Sequence, residues 1–374
     1  MSFINQDKTL PRTLLFQSQE IQTPMSLTAF RTLGRSGLIV SPLALGTMTF
    51  GKPEWGSPDE VSEAIFHAYV DAGGNFIDTA DVYAKGRSEE LIGGYIADRS
   101  LRDQLVLATK FTFHGGEPSN VNAGGNGRKN MYRALEGSLR RLRTDYVDLY
   151  WMHAWDMVTP IEEVLQSLGD LVRAGKIRYF GFSDVPAWYA TKVATLASAH
   201  AIPGPIALQL EYSLVERSIE REHMPAAREC GLGICPWSPL AAGFLAGKYQ
   251  REGEGATGLG RLTGNNPFGN QKFTDWNWRV LDALRTMAEQ VNRPLAQVAL
   301  AWASAQPGIT SLLLGIKKLE QLHDNLASLD IRLTPEQLLS LDKSSALVPA
   351  HPYSIFTSEV NRSLFGGATV QGWR

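Results

Sequence analysis

From Leu43 onward the chain repeats one pattern eight times: a short apolar run, then a stretch with helical periodicity. The runs are Leu43–Gly46, Asn75–Asp78, Leu105–Lys110, Asp148–His153, Arg178–Ser183, Ile206–Leu210, Gly233–Trp237 and Ser311–Leu314. Apolar runs of this length bounded by turn signals read as buried parallel strands, and their alternation with helices implies a sheet covered by helices. Positions 78, 110, 153, 183, 209 and 237 carry Asp, Lys, His, Ser, Gln and Trp, at steps of 32, 43, 30, 26 and 28 residues. That is the length of one strand–helix unit, so each strand delivers one such residue to the same end. A closed α/β barrel of the (β/α)8 type, the TIM barrel, gathers its active site at that end. An open doubly wound sheet is the runner-up, but no Gly-x-Gly-x-x-Gly turn supports it.

Helices are expected near residues 58–73, 88–98, 130–143, 160–174, 186–200, 219–230 and 318–329. Ahead of the first unit, Phe30–Leu33 and Leu38–Val40 flank Gly34 and Gly37 and read as a β-hairpin. The chain thus divides into an N-terminal extension (1–28), a barrel unit (29–345) and a C-terminal tail (346–374). Two long insertions, 113–127 and 240–277, follow barrel strands, where loops carry ligand contacts.

Of the strand-end residues, Lys110 is the hardest to explain by structure alone, because a buried ammonium needs a partner or a task. With Asp78, Tyr83 and His153 it suggests a proton-transfer site. A tyrosine hydroxyl is reluctant to ionise at neutral pH, with an ordinary pKa of ~10. A neighbouring ammonium stabilises its phenolate, and a carboxylate can hold that ammonium. Such a tyrosine can protonate a carbonyl oxygen while a hydride reaches the carbon. No side chain donates hydride, so a cofactor is required.

Composition narrows the alternatives. Net charge is −2 and hydrophobic residues make up 44% of 374, which describes a globular chain with a large core. The balance gives no electrostatic argument for nucleic acid or a membrane as partner. No run of 18 apolar residues occurs, the first 28 residues lack a signal-peptide core, and a cytoplasmic location is expected. Cys230 and Cys235 are the only cysteines and read as free thiols; no metal site is expected.

The residues that carry this chemistry also carry a family resemblance. Gly46-Thr47-Met48, the segment Phe76-Ile77-Asp78-Thr79-Ala80-Asp81-x-Tyr83, Thr109-Lys110, Trp151-Met152-His153, Gly175 to Ser183, Gln209, Pro236 to Leu240, Gly247-Lys248-Tyr249 and Gln321 with Asp324-Asn325 stand in the order found in aldo-keto reductases. The chain resembles the bacterial and plant members related to potassium-channel β subunits and aryl-alcohol dehydrogenases. The resemblance implies an oxidoreductase that interconverts aldehydes or ketones and alcohols with NADP(H). It implies Tyr83 as proton donor, Lys110 and Asp78 as its tuning pair, and His153 as the group orienting the substrate. It further implies cofactor contacts from Gly46, Thr47, Met48, Asp78, Ser183, Gln209, Trp237, Ser238, Leu240, Gly243, Lys248, Arg261, Gly315, Lys317, Gln321, Asp324 and Asn325. Asp184 stands where relatives often have asparagine.

Met48, Phe50, Trp55, Tyr83, Phe111, Trp151, Trp276 and Trp278 are candidates for an aromatic substrate pocket. Two other functions compete. A redox-sensing NADPH-binding module with vestigial catalysis would share the cofactor contacts, but relatives of that kind usually carry asparagine in place of His153. A metal-dependent barrel hydrolase would need ligands at several strand ends, where only Asp78 and His153 qualify. Partners are expected to be a small carbonyl or alcohol substrate and, in some relatives, further copies of the chain.

Overall fold

The computed structural model describes residues 26–115, 118–253, 255–258, 260–263 and 272–370. Most of the expected extension, residues 1–25, and part of the second insertion lie outside the described residues. The hairpin forms as read, β1 (Arg31–Thr32) pairing antiparallel with β2 (Ile39–Val40). Parallel strands β3 (Leu43–Gly46), β4 (Phe76–Asp78), β5 (Val106–Phe111), β6 (Val147–Met152), β7 (Ile177–Ser183), β8 (Ala207–Gln209) and β9 (Gly233–Ile234) then pair in sequence order. A small hairpin, β10 (Gln250–Glu252) with β11 (Gly255–Thr257), stands apart, and the final strand β12 (Leu312–Gly315) pairs with β3. The seam closes through Thr310 N donating to Ile234 O at 2.8 Å and Leu313 N to Pro236 O at 2.8 Å. The sheet is therefore a complete (β/α)8 barrel.

Helices α1 (Asp59–Asp71), α2 (Arg87–Asp98), α3 (Arg128–Leu142), α4 (Ile161–Arg173), α5 (Ala187–Ala199) and α6 (His223–Cys230) follow the first six strands. Helix α4 shows why: Ile161, Val164, Leu165, Leu168 and Leu171 share one buried face, and Glu162 and Glu163 occupy its first turn, where the helix dipole favours them. Two helices, α7 (Asp275–Gln290) and α8 (Leu295–Ser304), stand between the seventh and eighth strands, where sequence reading recognised one. Helix α9 (Leu319–Leu326) follows β12, and α10 (Pro335–Ser344) and α11 (Ser358–Leu364) follow it.

Strand alternation sorts the side chains. Phe76, Val106, Ala108, Leu149, Trp151, Ala207, Cys235 and Leu313 form one buried cluster inside the barrel, and Asp78, Lys110 and Gln209 share their register one layer higher. The Trp151 indole spans this interior: a Cβ on Gly181 would lie 2.4 Å from its Cζ3. At the opposite end the N-terminal hairpin closes the barrel. Gly34, at φ +61°, fits so tightly that a Cβ there would lie 2.4 Å from Ile206 O. Only the C-terminal end remains open for chemistry.

Candidate active site

Lys110 and Asp78 form an ion pair at the ends of β5 and β4, with side-chain exposures of 0% and 1%. Lys110 Nζ also donates to Thr79 O at 2.8 Å, and Gln209 Nε2 donates to Asp78 Oδ2 at 3.0 Å. Both charges are thus paired and hydrogen-bonded, the condition under which buried charges are tolerated. Burial pulls the Lys110 pKa down, but Asp78 and then Tyr83 more than offset it, so Lys110 stays protonated at neutral pH.

Tyr83 sits half-buried above this pair, with the Lys110 ammonium 5.1 Å from its ring centroid. It begins a turn in which Ala84, Lys85 and Gly86 all take positive φ (49°, 56° and 94°). Left-handed alanine and lysine cost roughly 1–2 kcal/mol each. Such strain persists where surroundings over-determine it and clusters at functional sites. Burial pushes the Tyr83 hydroxyl above its usual pKa, while Lys110 pulls it back. The His153 ring lies 5.8 Å from that of Tyr83, edge to face. Burial and the nearby Lys110 hold its pKa well below the usual histidine value, so it is neutral at pH 7. Its Nδ1 is buried without a protein partner among the described residues.

The remaining strand ends converge as the spacing predicted. Thr47 fixes β3 to β4, its N and Oγ1 both donating to Asp78 O at 2.9 and 3.1 Å. Gly46 and Met48 flank it, half-buried. Ser183 is buried at the end of β7 beside Gln209 at the end of β8. Trp237 bridges to Glu211, and its Nε1 donates to Asp184 Oδ1 at 3.1 Å. After it the chain turns on Ser238, Ala241, Ala242 and Gly243, all with positive φ, passing Leu240 and leading to Lys248. A Cβ on Gly243 would lie 3.1 Å from Lys248 Cδ.

A second cluster lies at the eighth strand. Gly315 ends β12 with open space before it, and Lys317 N donates to Gln321 Oε1 at 3.0 Å. Asp324 is exposed and Asn325 buried one turn on. Around the half-buried Trp55 ring gather Arg261 at 4.6 Å, Lys317 at 5.0 Å and Lys52 at 5.2 Å from its centroid. Burial and mutual repulsion lower the pKa values of Lys317 and Lys248, the latter also feeling Lys318. None of Lys52, Lys248, Arg261 and Lys317 forms an ion pair with a carboxylate among the described residues. Lys317 Nζ donates to Trp55 O, and a convergence of cations without carboxylate partners is electrostatically suited to an anion.

The expected aromatic pocket needs correction. Phe50, Phe111 and Trp151 are fully buried, and Trp278 is 6% exposed against Phe244 and Phe273. They are core. Lys110 faces into the barrel, so Phe111 faces the helices and stacks on Tyr150. Met48, Trp55 and Tyr83 remain at the surface of the mouth, and Trp276 is exposed.

Within the insertion 113–127, expected to carry ligand contacts, sequence reading did not single out Phe113, which is half-exposed with its ring 4.8 Å from that of His153. Its loop is pinned: Asn126, fully buried, accepts from Thr112 Oγ1 at 2.6 Å and donates to Ala154 O at 2.9 Å. Also missed was a buried charged group behind the site. Glu89 accepts from Thr109 Oγ1 at 2.5 Å and pairs with Arg141, and Asp81 lies alongside with Oδ1 unpartnered. Burial, with Glu89 adding to it, pushes the Asp81 carboxyl up to about 7. An acidic residue close to the Asp78 motif was the available signal.

No helix among the described residues is long and apolar enough to cross a membrane, and no cluster of metal-ligating side chains occurs among them. Residues 42–346 match the model of the aldo/keto reductase family. The chain is 36% identical over 327 residues to a probable voltage-gated potassium channel subunit beta of Oryza sativa, covering 86% of this chain and 97% of that protein. It is 34% identical over 355 residues to an aryl-alcohol dehydrogenase [NADP(+)] of Phanerodontia chrysosporium, covering 90% of each. It is also 34% identical over 330 residues to a norsolorinic acid reductase of Emericella nidulans, covering 86% of this chain and 82% of that one. The chain belongs to the aldo/keto reductase family, oxidoreductases that act on small carbonyl compounds.

Proposed function

We propose that this protein interconverts aldehydes or ketones and their alcohols with NADP(H), using Tyr83 as the proton donor and acceptor. The observation that carries the reading is the solvent-free Lys110–Asp78 pair beneath a half-buried, protonated tyrosine.

The residues fit the cofactor. Lys248, Arg261 and Lys317 lack carboxylate partners among the described residues, and a phosphate supplies the charge they need. A third phosphate beyond the pyrophosphate suits so many cations, which favours NADP(H) over NAD(H). Ser183 and Gln209 would hold the carboxamide and Trp237 would cover the nicotinamide ring, with Thr47 and Met48 on its side. Ser238, Leu240 and Gly243 would follow the pyrophosphate, and Gln321, Asp324 and Asn325 the adenosine. When bound, NADPH supplies the hydride that no side chain can.

The chain's own residues handle the proton. Tyr83 donates it to the carbonyl oxygen as the carbon gains hydride, and Lys110 stabilises the phenolate left behind. Asp78 keeps Lys110 in place, and Gln209 keeps Asp78 in place. Neutral His153 offers a hydrogen bond to the same oxygen. Phe113 covers the outer side of His153 and restricts how a substrate enters.

Titration with NADPH and NADH, followed by quenching of tryptophan fluorescence, tests the cofactor assignment. Absorbance at 340 nm with 4-nitrobenzaldehyde tests turnover, with Tyr83→Phe alongside. Tighter NADPH binding, with turnover lost and binding kept in Tyr83→Phe, is the expected result. Tight NADPH binding without turnover on a wide carbonyl and alcohol panel would instead favour a redox-sensing module.

A further inference from the structure

Asp184 is anchored more firmly than a surface loop residue needs to be. Its N donates to Gln209 O at 3.2 Å, and its O accepts from Trp155 N at 3.3 Å. Its backbone is left-handed, at φ +46°, a conformation that aspartate visits more readily than most residues. Its Oδ1 accepts the Trp237 indole N–H at 3.1 Å. The carboxylate thus sits between Ser183, its chain neighbour, and Trp237, whose ring it orients. Solvent reaches the side chain, yet no cation pairs with it among the described residues. Of the charged groups facing it, Lys110 is committed to Asp78 and Glu211 to Lys272.

We infer that Asp184 is a specificity-determining residue for the redox state of the cofactor, its negative charge favouring the oxidised form over the reduced form. This rests on the reading that Ser183, Gln209 and Trp237 hold the nicotinamide. The oxidised ring carries a positive charge and the reduced ring does not, so a carboxylate at that end of the site attracts one and is indifferent to the other. Asparagine in its place would keep the hydrogen bond to Trp237 but not the charge. The aspartate therefore tilts the bound equilibrium toward the oxidised cofactor, and with it the reaction on the enzyme toward carbonyl reduction, the direction that oxidises the cofactor.

The charge is itself conditional. The walls of the mouth push the Asp184 carboxyl up to about 6, with Glu211 adding to the rise and the Trp237 N–H and Lys110 opposing it. The tilt is present above that pH and fades below it.

The test measures dissociation constants for NADP+ and NADPH by tryptophan fluorescence between pH 5.5 and 8, in the wild type and in Asp184→Asn. The ratio of the two constants cancels the titration of the phosphates, which both forms share. Relative preference for NADP+ in the wild type is expected to rise with pH by roughly three- to tenfold, the size of one partly screened charge interaction across a solvated cleft. In Asp184→Asn the ratio should be flat and shifted toward NADPH. Both cofactors binding with a ratio insensitive to pH and to the substitution would overturn the role of Asp184 while leaving the cofactor reading intact. Failure of either cofactor to bind the wild type would overturn both.

Discussion

The ammonium of Lys110 meets the carboxylate of Asp78 with neither side chain in contact with solvent, so each residue is the reason the other can be charged. Removing one strands the other. Lys110→Met should destabilise the fold by about 3–5 kcal/mol, the cost of an uncompensated buried charge. Combining it with Asp78→Leu should recover part of that loss, because the double variant buries no charge. Denaturant unfolding of the two single variants and the double one measures the coupling directly. Strictly additive losses would contradict the pairing.

Catalysis should show its own signature of the same pair. Tyr83 is raised above its ordinary pKa, so the proton needed for reduction is in place through neutral pH. kcat/KM for reduction should stay level there and fall only on the alkaline side. Lys110 lowers the Tyr83 pKa, so Lys110→Met should move that limb to still higher pH, as well as lowering the plateau by roughly 10²–10⁴-fold. A limb that stays in place on losing Lys110 would separate the two residues.

Cofactor discrimination should rest on the cations around Trp55. Lys317→Ala and Arg261→Ala should each raise the dissociation constant for NADPH by roughly ten- to a hundredfold, as expected for a lost charge-assisted contact. NADH binding should change little. Equal weakening of both cofactors would place these residues on the shared part of the molecule.

Asp81 gives a stability prediction with a definite sign. Its folded pKa of about 7 lies above the ~3.9 of an unfolded aspartate. The native state therefore holds the proton more tightly, and this contribution is fully present below the unfolded value and lost as pH rises through about 7. Between pH 5 and 8, the unfolding midpoint of Asp81→Asn should gain on that of the wild type. Parallel pH dependences would show that Asp81 is ionised without strain.

Much of this was legible in the chain because a parallel strand is short, apolar and ends abruptly. Asp78, Lys110, Ser183 and Gln209 each interrupt an apolar run at a common step, and all four stand at one end of the barrel. Depth was harder to read. Phe111 and Trp151 lie near the proposed catalytic residues Lys110 and His153 in sequence, but a period of two sends Phe111 outward and sets Trp151 one layer below His153. The period was available and would have moved both to the core. Phe113 was not legible, because its approach to His153 depends on a loop shaped by Asn126, and loops carry no period. A helix was expected after the second insertion, but its being two, α7 and α8, was not legible from the sequence.

The tight fit of Trp151 over Gly181 has a measurable form. Gly181→Ala would place a methyl group against the indole and should cost roughly 1–3 kcal/mol or more, read as a lowered unfolding midpoint. Ala207 O would also lie only 2.6 Å from that added carbon, so a tilt of the indole alone would not relieve the clash.

The same fit shapes how this protein can change over generations. Trp151, Gly181 and the backbone at Ala207 are locked together, so a single substitution at any of them is penalised before a second can compensate. The floor of the barrel therefore resists change one residue at a time. Change is tolerated more readily at the rim, where Phe113, Met48 and Trp55 are each reached by solvent.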